Sequence, residues 1–270
     1  MLMYDDITVM IKDKTILNNI SATFPYGTIT CILGPNGCGK STMLQALFSP
    51  KLIKGGKIYL DDKPLFEYPA REKAKRIAYL PQLHEIPPIS VRTLITQGRF
   101  PYTGMLGRAN RLDEIFIERS LNDINMTEFA NRNLTTLSGG ECKRAYLGMI
   151  LAQNTDYIIL DEPTTFLDIK HRLELIELLS SLRDRGKTIV AVLHDINEVL
   201  QLADIILLMK DGCLIKTLSR MEFLNSDIVK DIFQVQMTYE EVNNHVLTNF
   251  SLTAPSDHSE RQNDYDTNRQ

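Results

Sequence analysis

Short runs of apolar, mostly β-branched residues alternate along the chain with longer stretches of helical periodicity. The runs are TITCIL (28–33), GKIYL (56–60), RIAYL (76–80), YIIL (157–160), TIVAVL (188–193) and DIILLM (204–209). Continuous apolar runs of this length are typical of parallel strands that are buried on both faces of a sheet. The alternating segment ITVMI (7–11) instead predicts an antiparallel strand with one solvent-facing side. We therefore expect an α/β fold with a parallel sheet and an N-terminal antiparallel β subdomain.

Strand-like runs stop between Pro87 and Gln153, where apolar residues recur at helical spacing. The segments are SVRTLITQ, RLDEIFIERSLNDI and GECKRAYLGMILAQ. This pattern predicts an α-helical subdomain, at about 87–153, inserted into the α/β core. From about residue 251 the sequence is polar and nearly free of large apolar residues, a composition typical of a disordered tail.

Composition narrows the possible classes of function. Among the 270 residues, 43% are hydrophobic and the formal net charge is −4, which argues against a nucleic-acid binder that relies on a broad basic surface. The apolar runs are far shorter than the roughly 18 residues that a membrane-spanning helix needs. The N-terminus lacks the pattern of a signal peptide, and the four cysteines form no CxxC pair. We expect a cytoplasmic protein with reduced thiols.

The segment GPNGCGKS (34–41) lies between a predicted strand and a predicted helix. It matches the GxxxxGK[ST] pattern, in which glycine-rich backbone and a helix N-terminus hold phosphate groups. Lys40 is then expected to reach the β- and γ-phosphates, and Ser41 to bind Mg²⁺. The predicted nucleotide-binding residues are Gly34, Pro35, Asn36, Gly37, Cys38, Gly39, Lys40, Ser41 and Thr42. For Cys38, the helix N-terminus favours a lowered thiol pKa, and an inert small residue is the alternative.

Polar residues follow three other predicted strands: Gln82, the pair Asp161–Glu162, and His194. Ligands of open parallel sheets bind beyond the carboxyl ends of the strands, so these side chains are expected to converge on the same phosphates. Asp161 suits Mg²⁺, Glu162 suits a general base that accepts a proton from water, and His194 suits a contact to the γ-phosphate. Taken singly, Gln82 could be a turn residue, Glu162 a surface charge and His194 a helix cap.

The segment SGGE (138–141) raises a separate question, because glycine is a poor helix former. A capping box explains Ser138 and Glu141 but leaves Gly139 and Gly140 unexplained. Glycines leave the backbone amides at the helix N-terminus open to an anion. The phosphates of this chain's own nucleotide are, however, already assigned to the loop at 34–41. We therefore expect this segment to bind the γ-phosphate of a nucleotide held by another subunit, so that two chains enclose two nucleotides.

Over roughly residues 1–240 the chain resembles the ATPase subunits of ATP-binding-cassette (ABC) transporters. The motifs that carry the resemblance are GPNGCGKS (Walker A), Gln82 (Q-loop), LSGGE (signature), YIILDEP (Walker B), TTFLD (D-loop, ending at Asp168) and His194 (switch histidine). The resemblance implies a P-loop NTPase core that uses ATP and Mg²⁺, and a head-to-tail dimer. It also implies that Glu162 is the catalytic base, with His194 and Gln82 in catalytic roles, that Ser41, Gln82 and Asp161 surround the metal, and that Asp168 communicates between the two sites.

One position departs from the family pattern, which usually stacks the adenine on an aromatic residue before a segment like KTIL. Here Ile11 or Met10 stands at that position, and Tyr4 lies too early in the chain. The residues 241–270 form a C-terminal extension beyond the resemblance.

The segments LITQGRFPY (94–102) and TTFLDIKHRLELIELL (164–179) look most like the branch that imports iron–siderophore, haem or cobalamin complexes. The resemblance then implies an integral-membrane permease docked near residues 84–111, a periplasmic or surface substrate-binding protein as an indirect partner, and a peripheral place on the cytoplasmic face of the membrane. The expected docking segment carries Arg92, Arg99, Phe100, Tyr102, Arg108 and Arg111. A soluble ABC ATPase of iron–sulfur cluster assembly is the alternative, and a non-hydrolysing nucleotide-binding module is a weaker one.

Overall fold

The structure is a computed structural model that describes residues 1–82, 86–104, 107, 109–242 and 245–252. Its strands are β1 (Leu2–Ile11), β2 (Lys14–Phe24), β3 (Ile29–Leu33), β4 (Ile53–Leu60), β5 (Lys63–Pro64), β6 (Ile77–Leu80), β7 (Tyr157–Asp161), β8 (Thr188–Val192), β9 (Ile205–Lys210), β10 (Cys213–Ser219), β11 (Val235–Val242) and β12 (His245–Leu252). Its α-helices are α1 (Lys40–Ala46), α2 (Ala70–Arg76), α3 (Val91–Gln97), α4 (Phe100–Thr103), α5 (Arg111–Asp123), α6 (Gly139–Gln153), α7 (Ile169–Asp184), α8 (Ile196–Leu202), α9 (Arg220–Leu224) and α10 (Ile228–Phe233).

The central sheet has the strand order β10-β9-β3-β8-β7-β6. Strands β3, β6, β7, β8 and β9 are parallel, and β10 joins the edge in the antiparallel direction. Every residue of β3, β7 and β8 is buried, as their continuous apolar sequences predict. The parallel α/β core is therefore confirmed.

The second sheet is antiparallel, with the order β2-β1-β4-β5. It contains β1, as the alternation at 7–11 predicts, but it also contains β4, which we expected in the parallel sheet. That expectation was wrong: Tyr4 of β1 pairs with Ile58 of β4 in the antiparallel direction. The reason is visible in the burial of β4, where only Ile58 and Leu60 are fully buried and the remaining residues are partly or fully exposed.

The two sheets share a core that fixes the position of α1. Tyr4 is fully buried, and its hydroxyl donates a hydrogen bond of 2.8 Å to the carbonyl oxygen of Met43. Met43 and Leu44 on α1 pack in the same cluster as Ile32 of β3. Because α1 is held from both sheets, the loop between β3 and α1 has a fixed place at the carboxyl edge of the central sheet.

Between β6 and β7 the described residues form α3, α4, α5 and α6, with two short 3-10 turns between α5 and α6. Helix α5 begins at a full capping box between Asn110 and Asp113, and Ile117 and Leu121 on its inner face pack with Ile95 of α3 and Ile150 of α6. The chain then returns to the central sheet at β7.

At the far end of the chain, β11 and β12 form an antiparallel hairpin. The predicted tail overlaps this hairpin at residues 251–252, the last of β12, and its remainder, 253–270, lies outside the described residues. Across the described part of the chain, every helix is too short or too polar to cross a lipid bilayer.

Candidate nucleotide-binding site

The carboxyl ends of β3, β6, β7 and β8 open into one cleft of about 940 Å³. This volume lies within the range of pockets that hold small-molecule ligands. The cleft is lined by Ile11, Ile16, Gly34, Pro35, Asn36, Gly37, Gly39, Lys40, Ser41, Thr42, Gln82, Glu162, Thr165, His194 and Phe233. The structure therefore brings most of the predicted site residues together, although they are far apart in the sequence.

The loop from Gly34 to Gly39 connects β3 to α1. A side chain at Gly34 would overlap the carbonyl oxygen of Met209 on the neighbouring strand, so only glycine lets the loop lie against the sheet. Gly39 has φ 104° and precedes α1 without a side-chain cap, which leaves the first amides of the helix available. These amides and the loop backbone form a cradle of the kind that holds phosphate.

Lys40 closes the loop by donating hydrogen bonds of 2.8 Å and 2.9 Å to the carbonyl oxygens of Gly34 and Pro35. The residue is 5% exposed, and burial lowers the pKa of its ammonium group. The side chain is thus held at the floor of the cleft, with its charge among the loop residues.

Ser41 and Asp161 form the part of the cleft that suits Mg²⁺. The Ser41 hydroxyl donates a hydrogen bond of 2.9 Å to Oδ1 of Asp161. Burial raises the pKa of Asp161, and the Ser41 hydrogen bond opposes this rise. A hydroxyl and a carboxylate are the hard oxygen ligands that Mg²⁺ prefers, and Mg²⁺ usually takes its other ligands from phosphate and water. The described residues include no cluster of three His, Cys, Asp or Glu side chains suited to a metal.

Glu162 is the meeting point of the remaining polar groups. Its Oε2 accepts hydrogen bonds from Gln82 Nε2 at 2.7 Å and from the Thr165 hydroxyl at 3.3 Å, and its Oε1 pairs with His194 Nε2. Burial alone would raise the pKa of this carboxyl, but the hydrogen bonds and charge of these partners lower it overall. Gln82 is directed at Glu162 rather than at the Ser41–Asp161 pair, so its predicted metal role stays a prediction.

The segment SGGE begins α6 and is not among the described residues that line the cleft. Both halves of the predicted capping box are present: Ser138 Oγ accepts from the Glu141 amide at 3.3 Å, and Glu141 accepts from the Ser138 amide at 2.8 Å. A side chain at Gly139 would meet nothing within 4 Å, and one at Gly140 would make an ordinary contact with Leu167. Packing within this chain therefore does not require either glycine.

Asp168 caps α7, with Oδ1 accepting a hydrogen bond of 2.9 Å from the His171 amide. Large apolar side chains are exposed on both sides of Asp168 in the sequence: Phe166 is 80% exposed and Ile169 is 77% exposed. Phe166 also has φ 68°, a left-handed conformation that is unusual for a bulky residue. The D-loop segment is thus an exposed apolar surface beside the cleft.

Two apolar residues that line the cleft, Ile16 and Phe233, were not predicted from the sequence. Phe233 ends α10, which follows the central sheet in the chain, and Lys210 at the end of β9 donates a hydrogen bond of 3.1 Å to the carbonyl oxygen of Asp231 in the same helix. No sequence spacing links residue 233 to a motif near residue 35. Only the aromatic type of the side chain could have suggested it.

Two expectations about individual residues were wrong. Cys38 is 5% exposed, and burial raises the pKa of its thiol, so the effect of the helix N-terminus does not dominate. Arg99 does not belong to a docking surface, because it is 2% exposed and pairs with buried Asp113 at 2.9 Å. The residues 83–85 and Arg108, which fall in or next to the predicted docking segment, lie outside the described residues.

Comparison with known proteins gives this geometry its context. The family model described as "ABC transporter" matches residues 17–165. The chain belongs to the ABC transporter family. It is an ATPase cassette of that family, and its nucleotide is ATP.

Two curated relatives and two solved structures of ABC proteins illustrate the similarity. The "Iron(3+)-hydroxamate import ATP-binding protein FhuC" of Bacillus subtilis is 38% identical over 225 residues, which cover 83% of this chain and 84% of FhuC. The "Ferric enterobactin transport ATP-binding protein FepC" of Escherichia coli is 35% identical, covering 85% of each chain. A chain of "a putative metal-chelate type ABC transporter" in an inward-facing conformation has a TM-score of 0.79 at 25% identity, covering 94% of this chain and 97% of its own. The dimeric ATP-binding cassette MJ0796, "bound to ADP and Pi", has a TM-score of 0.71 at 26% identity, covering 82% of this chain and 99% of its own.

Proposed function

We propose that this chain is the ATP-hydrolysing subunit of an importer that takes up an iron–siderophore complex. The observation that carries the proposal is the convergence of Lys40, Ser41, Glu162 and His194 at one cleft, with Asp161 hydrogen-bonded to Ser41. The cargo is inferred from the names of relatives such as the hydroxamate and enterobactin proteins. Import of haem or cobalamin by the same machinery would be a different outcome of the experiment below.

The loop amides and Lys40 bind the β- and γ-phosphates, because they offer donors and positive charge at the floor of the cleft. Ser41 and Asp161 hold Mg²⁺ through their oxygen atoms, with Gln82 as a further candidate. When bound, Mg²⁺ neutralises phosphate charge and helps to orient the γ-phosphate. Glu162 accepts the proton of the attacking water, and His194 orients the reacting groups.

The hydrogen bonds around Glu162 imply a movement during the reaction. Gln82, Thr165 and His194 all donate to its carboxylate in this structure, which leaves the group a weak base. The carboxylate gains basicity when one of these donors turns away. We expect the γ-phosphate to draw His194 and Gln82 towards itself, so that Glu162 becomes free to accept a proton only when ATP is in place.

The active assembly is a head-to-tail dimer in which Ser138, Gly139 and Gly140 of one chain bind the γ-phosphate held by the other. Two glycines that the packing of their own chain does not require support this, since they leave the amides of α6 open to a phosphate. Exposed Phe166 and Ile169 supply apolar area beside the cleft, and Asp168 lies between them. The 26%-identical cassette MJ0796 is dimeric.

The permease docks on the outer face of α5, with the protein held peripherally at the cytoplasmic side of the membrane. Leu112 and Ile115 lie three residues apart on α5 and are 58% and 56% exposed, and Ile86 is 50% exposed. Exposed apolar side chains next to arginine, here Arg111, are typical of protein interfaces. Arg99 is buried and is therefore not part of the proposed docking surface. A substrate-binding protein outside the membrane is an indirect partner of the importer.

Uptake of labelled iron complexes by a deletion strain tests the proposal. We expect the strain to lose uptake of one ⁵⁵Fe–siderophore and to keep amino-acid uptake. The wild-type chain should restore uptake, whereas Glu162→Gln, which retains the shape but cannot accept the proton, should not. Leu112→Asp/Ile115→Asp should also fail to restore uptake although the purified variant still hydrolyses ATP.

Normal uptake of every iron complex by the deletion strain would contradict the cargo assignment. Loss of iron–sulfur enzyme activity in that strain, with uptake intact, would favour the cluster-assembly alternative.

A further inference from the structure

Lys143 is a buried cation that the proposed reaction does not use. It lies on α6, little more than one turn after Ser138, and is 6% exposed. Its ammonium group donates hydrogen bonds to two backbone carbonyl oxygens, those of Glu162 and, at 3.1 Å, Thr165. Burial lowers the pKa of this group to about 8, so the fold keeps a costly charge in this place.

The turn that Lys143 contacts has a strained backbone. Glu162 has φ 52°, a left-handed conformation that is strained for a non-glycine residue. The hydrogen bond that would close the turn from within, from the Thr165 amide to the Glu162 carbonyl oxygen, is long at 3.4 Å. Lys143 bonds the carbonyl groups at both ends of this turn, and therefore supplies the closure that the turn itself provides only weakly.

The same turn fixes the carboxylate of Glu162. The Thr165 hydroxyl at its far end donates to Glu162 Oε2, and His194 and Gln82 complete the arrangement. A change in the backbone at either end of the turn would alter the direction of the carboxylate.

We propose that Lys143 is a positioning residue that holds the 162–165 turn in its strained form and so links the signature helix to the catalytic carboxylate within one subunit. The inference rests on the proposed function, in which Glu162 is the base and the start of α6 binds a nucleotide. Movement of α6 on binding that nucleotide is transmitted through the Lys143 ammonium group to the carbonyl oxygen of Glu162. Each base is thereby sensitive to the nucleotide bound by the signature segment of its own chain.

Lys143→Met tests this link, because methionine fills similar space and cannot donate a hydrogen bond. Lys187→Met is the matched control. Lys187 also has a pKa lowered by burial and donates to the carbonyl oxygen of Thr155 at 2.8 Å, but it lies directly before β8, away from the turn. In the purified full-length protein, we expect Lys143→Met to lower kcat at least about tenfold and to change KM and the Kd for a fluorescent ATP analogue by less than about twofold. Lys187→Met should lower the melting temperature and leave kcat within about twofold.

A conservative variant and a second background separate positioning from simple loss of stability. Lys143→Gln keeps an N–H donor, so its kcat should be higher than that of Lys143→Met and lower than that of the wild type. If Lys143→Met does not fold, the kcat of Lys143→Gln tests the positioning role instead. In a Glu162→Gln background, Lys143→Met should cause no further loss of the residual turnover, because the group that it positions is already disabled.

An unchanged kcat in Lys143→Met, or an equal loss in the Glu162→Gln background, would overturn the inference. Both measurements are made on hydrolysis by the purified chain. A failure here is therefore distinguishable from a failure of the cargo assignment, which is read from uptake in cells.

Discussion

At the residue scale, the cleft offers apolar side chains that a nucleotide base could contact. Ile11 is 40% exposed and lines the cleft with Ile16, and Phe233 lines the same cleft from α10. The end of β9 and the turn after it contact both β2 and α10. The carbonyl oxygen of Gly212 accepts a hydrogen bond from the Asn18 amide of β2, and the Lys210 ammonium group donates one to a backbone carbonyl oxygen of α10. Phe233 is therefore the aromatic side chain available to a nucleotide base in this cleft among the described lining residues.

Phe233→Ala should weaken ATP binding by about tenfold, since stacking on an aromatic ring contributes roughly 1–3 kcal/mol per base in nucleic-acid complexes. Competition by inorganic tripolyphosphate, which has no base, should be unchanged, and Phe233→Tyr should bind ATP normally. Stacking does not read the edge of a base, so GTP should compete within about tenfold of ATP. Fluorescent-nucleotide titration measures all of these. An equal loss of tripolyphosphate binding would show instead that Phe233 supports the phosphate loop.

The phosphate-binding residues could be predicted because their chemistry depends on local spacing. Lys40 and Ser41 follow the glycines directly in the sequence, so the motif alone predicts that these residues lie together, as they do in the structure. The pKa of Cys38, the buried pairing of Arg99 and the position of Lys143 depend on which elements pack around them. Sequence spacing contains no such information, and the first two expectations were wrong for this reason.

At the scale of elements, the errors concern strands whose burial is uneven. GKIYL has the apolar content of a buried strand. In β4, however, only Ile58 and Leu60 are buried, and the strand pairs with β1. Strand β2, which we did not predict, contains the polar pair Asn18–Asn19, and this pair breaks the apolar run. Both residues are exposed, at the point where the register with β1 shifts. The fully buried strands β3, β7 and β8 were predicted well because both of their faces must be apolar.

A buried ion pair joins the helices of the insertion and gives a prediction about stability. Arg99 lies between the rings of Tyr102 and Phe116, 3.9 Å and 4.5 Å from their centroids, and pairs with Asp113 of α5. It also donates a hydrogen bond of 2.6 Å to the carbonyl oxygen of Ala152 at the end of α6. Arg99→Ala leaves Asp113 buried without its partner and should lower the free energy of unfolding by about 3–5 kcal/mol.

Arg92→Ala is the control, because Arg92 pairs with Glu114 and Glu118 at the surface and such pairs contribute about 0–1 kcal/mol. Urea unfolding of both variants measures the difference. Equal effects would contradict the structural role of Arg99. An Arg99→Ala protein that is fully stable but fails to bind membranes would show that Arg99 contributes to docking on the permease.

At the scale of the whole molecule, the proposed dimer predicts that the signature segment acts on the nucleotide of a second copy. Ser138 and its glycines are not among the described residues that line the cleft around Lys40. A chain with Ser138→Arg keeps Lys40, and a chain with Lys40→Ala keeps Ser138. Each variant alone has no site in which both residues are intact, so each should lack ATPase activity.

Mixing the two variants distinguishes a shared site from a site within one chain. In a mixed head-to-tail dimer, Lys40 of the first chain faces Ser138 of the second, and one of the two sites is intact. Because half of the dimers in an equal mixture are mixed, about a quarter of all sites should be competent. If Ser138 instead acted on the nucleotide of its own chain, no dimer could combine the intact residues. Failure to recover ATPase activity at any mixing ratio would therefore contradict the shared site, and Gly139 and Gly140 of α6 would need another ligand.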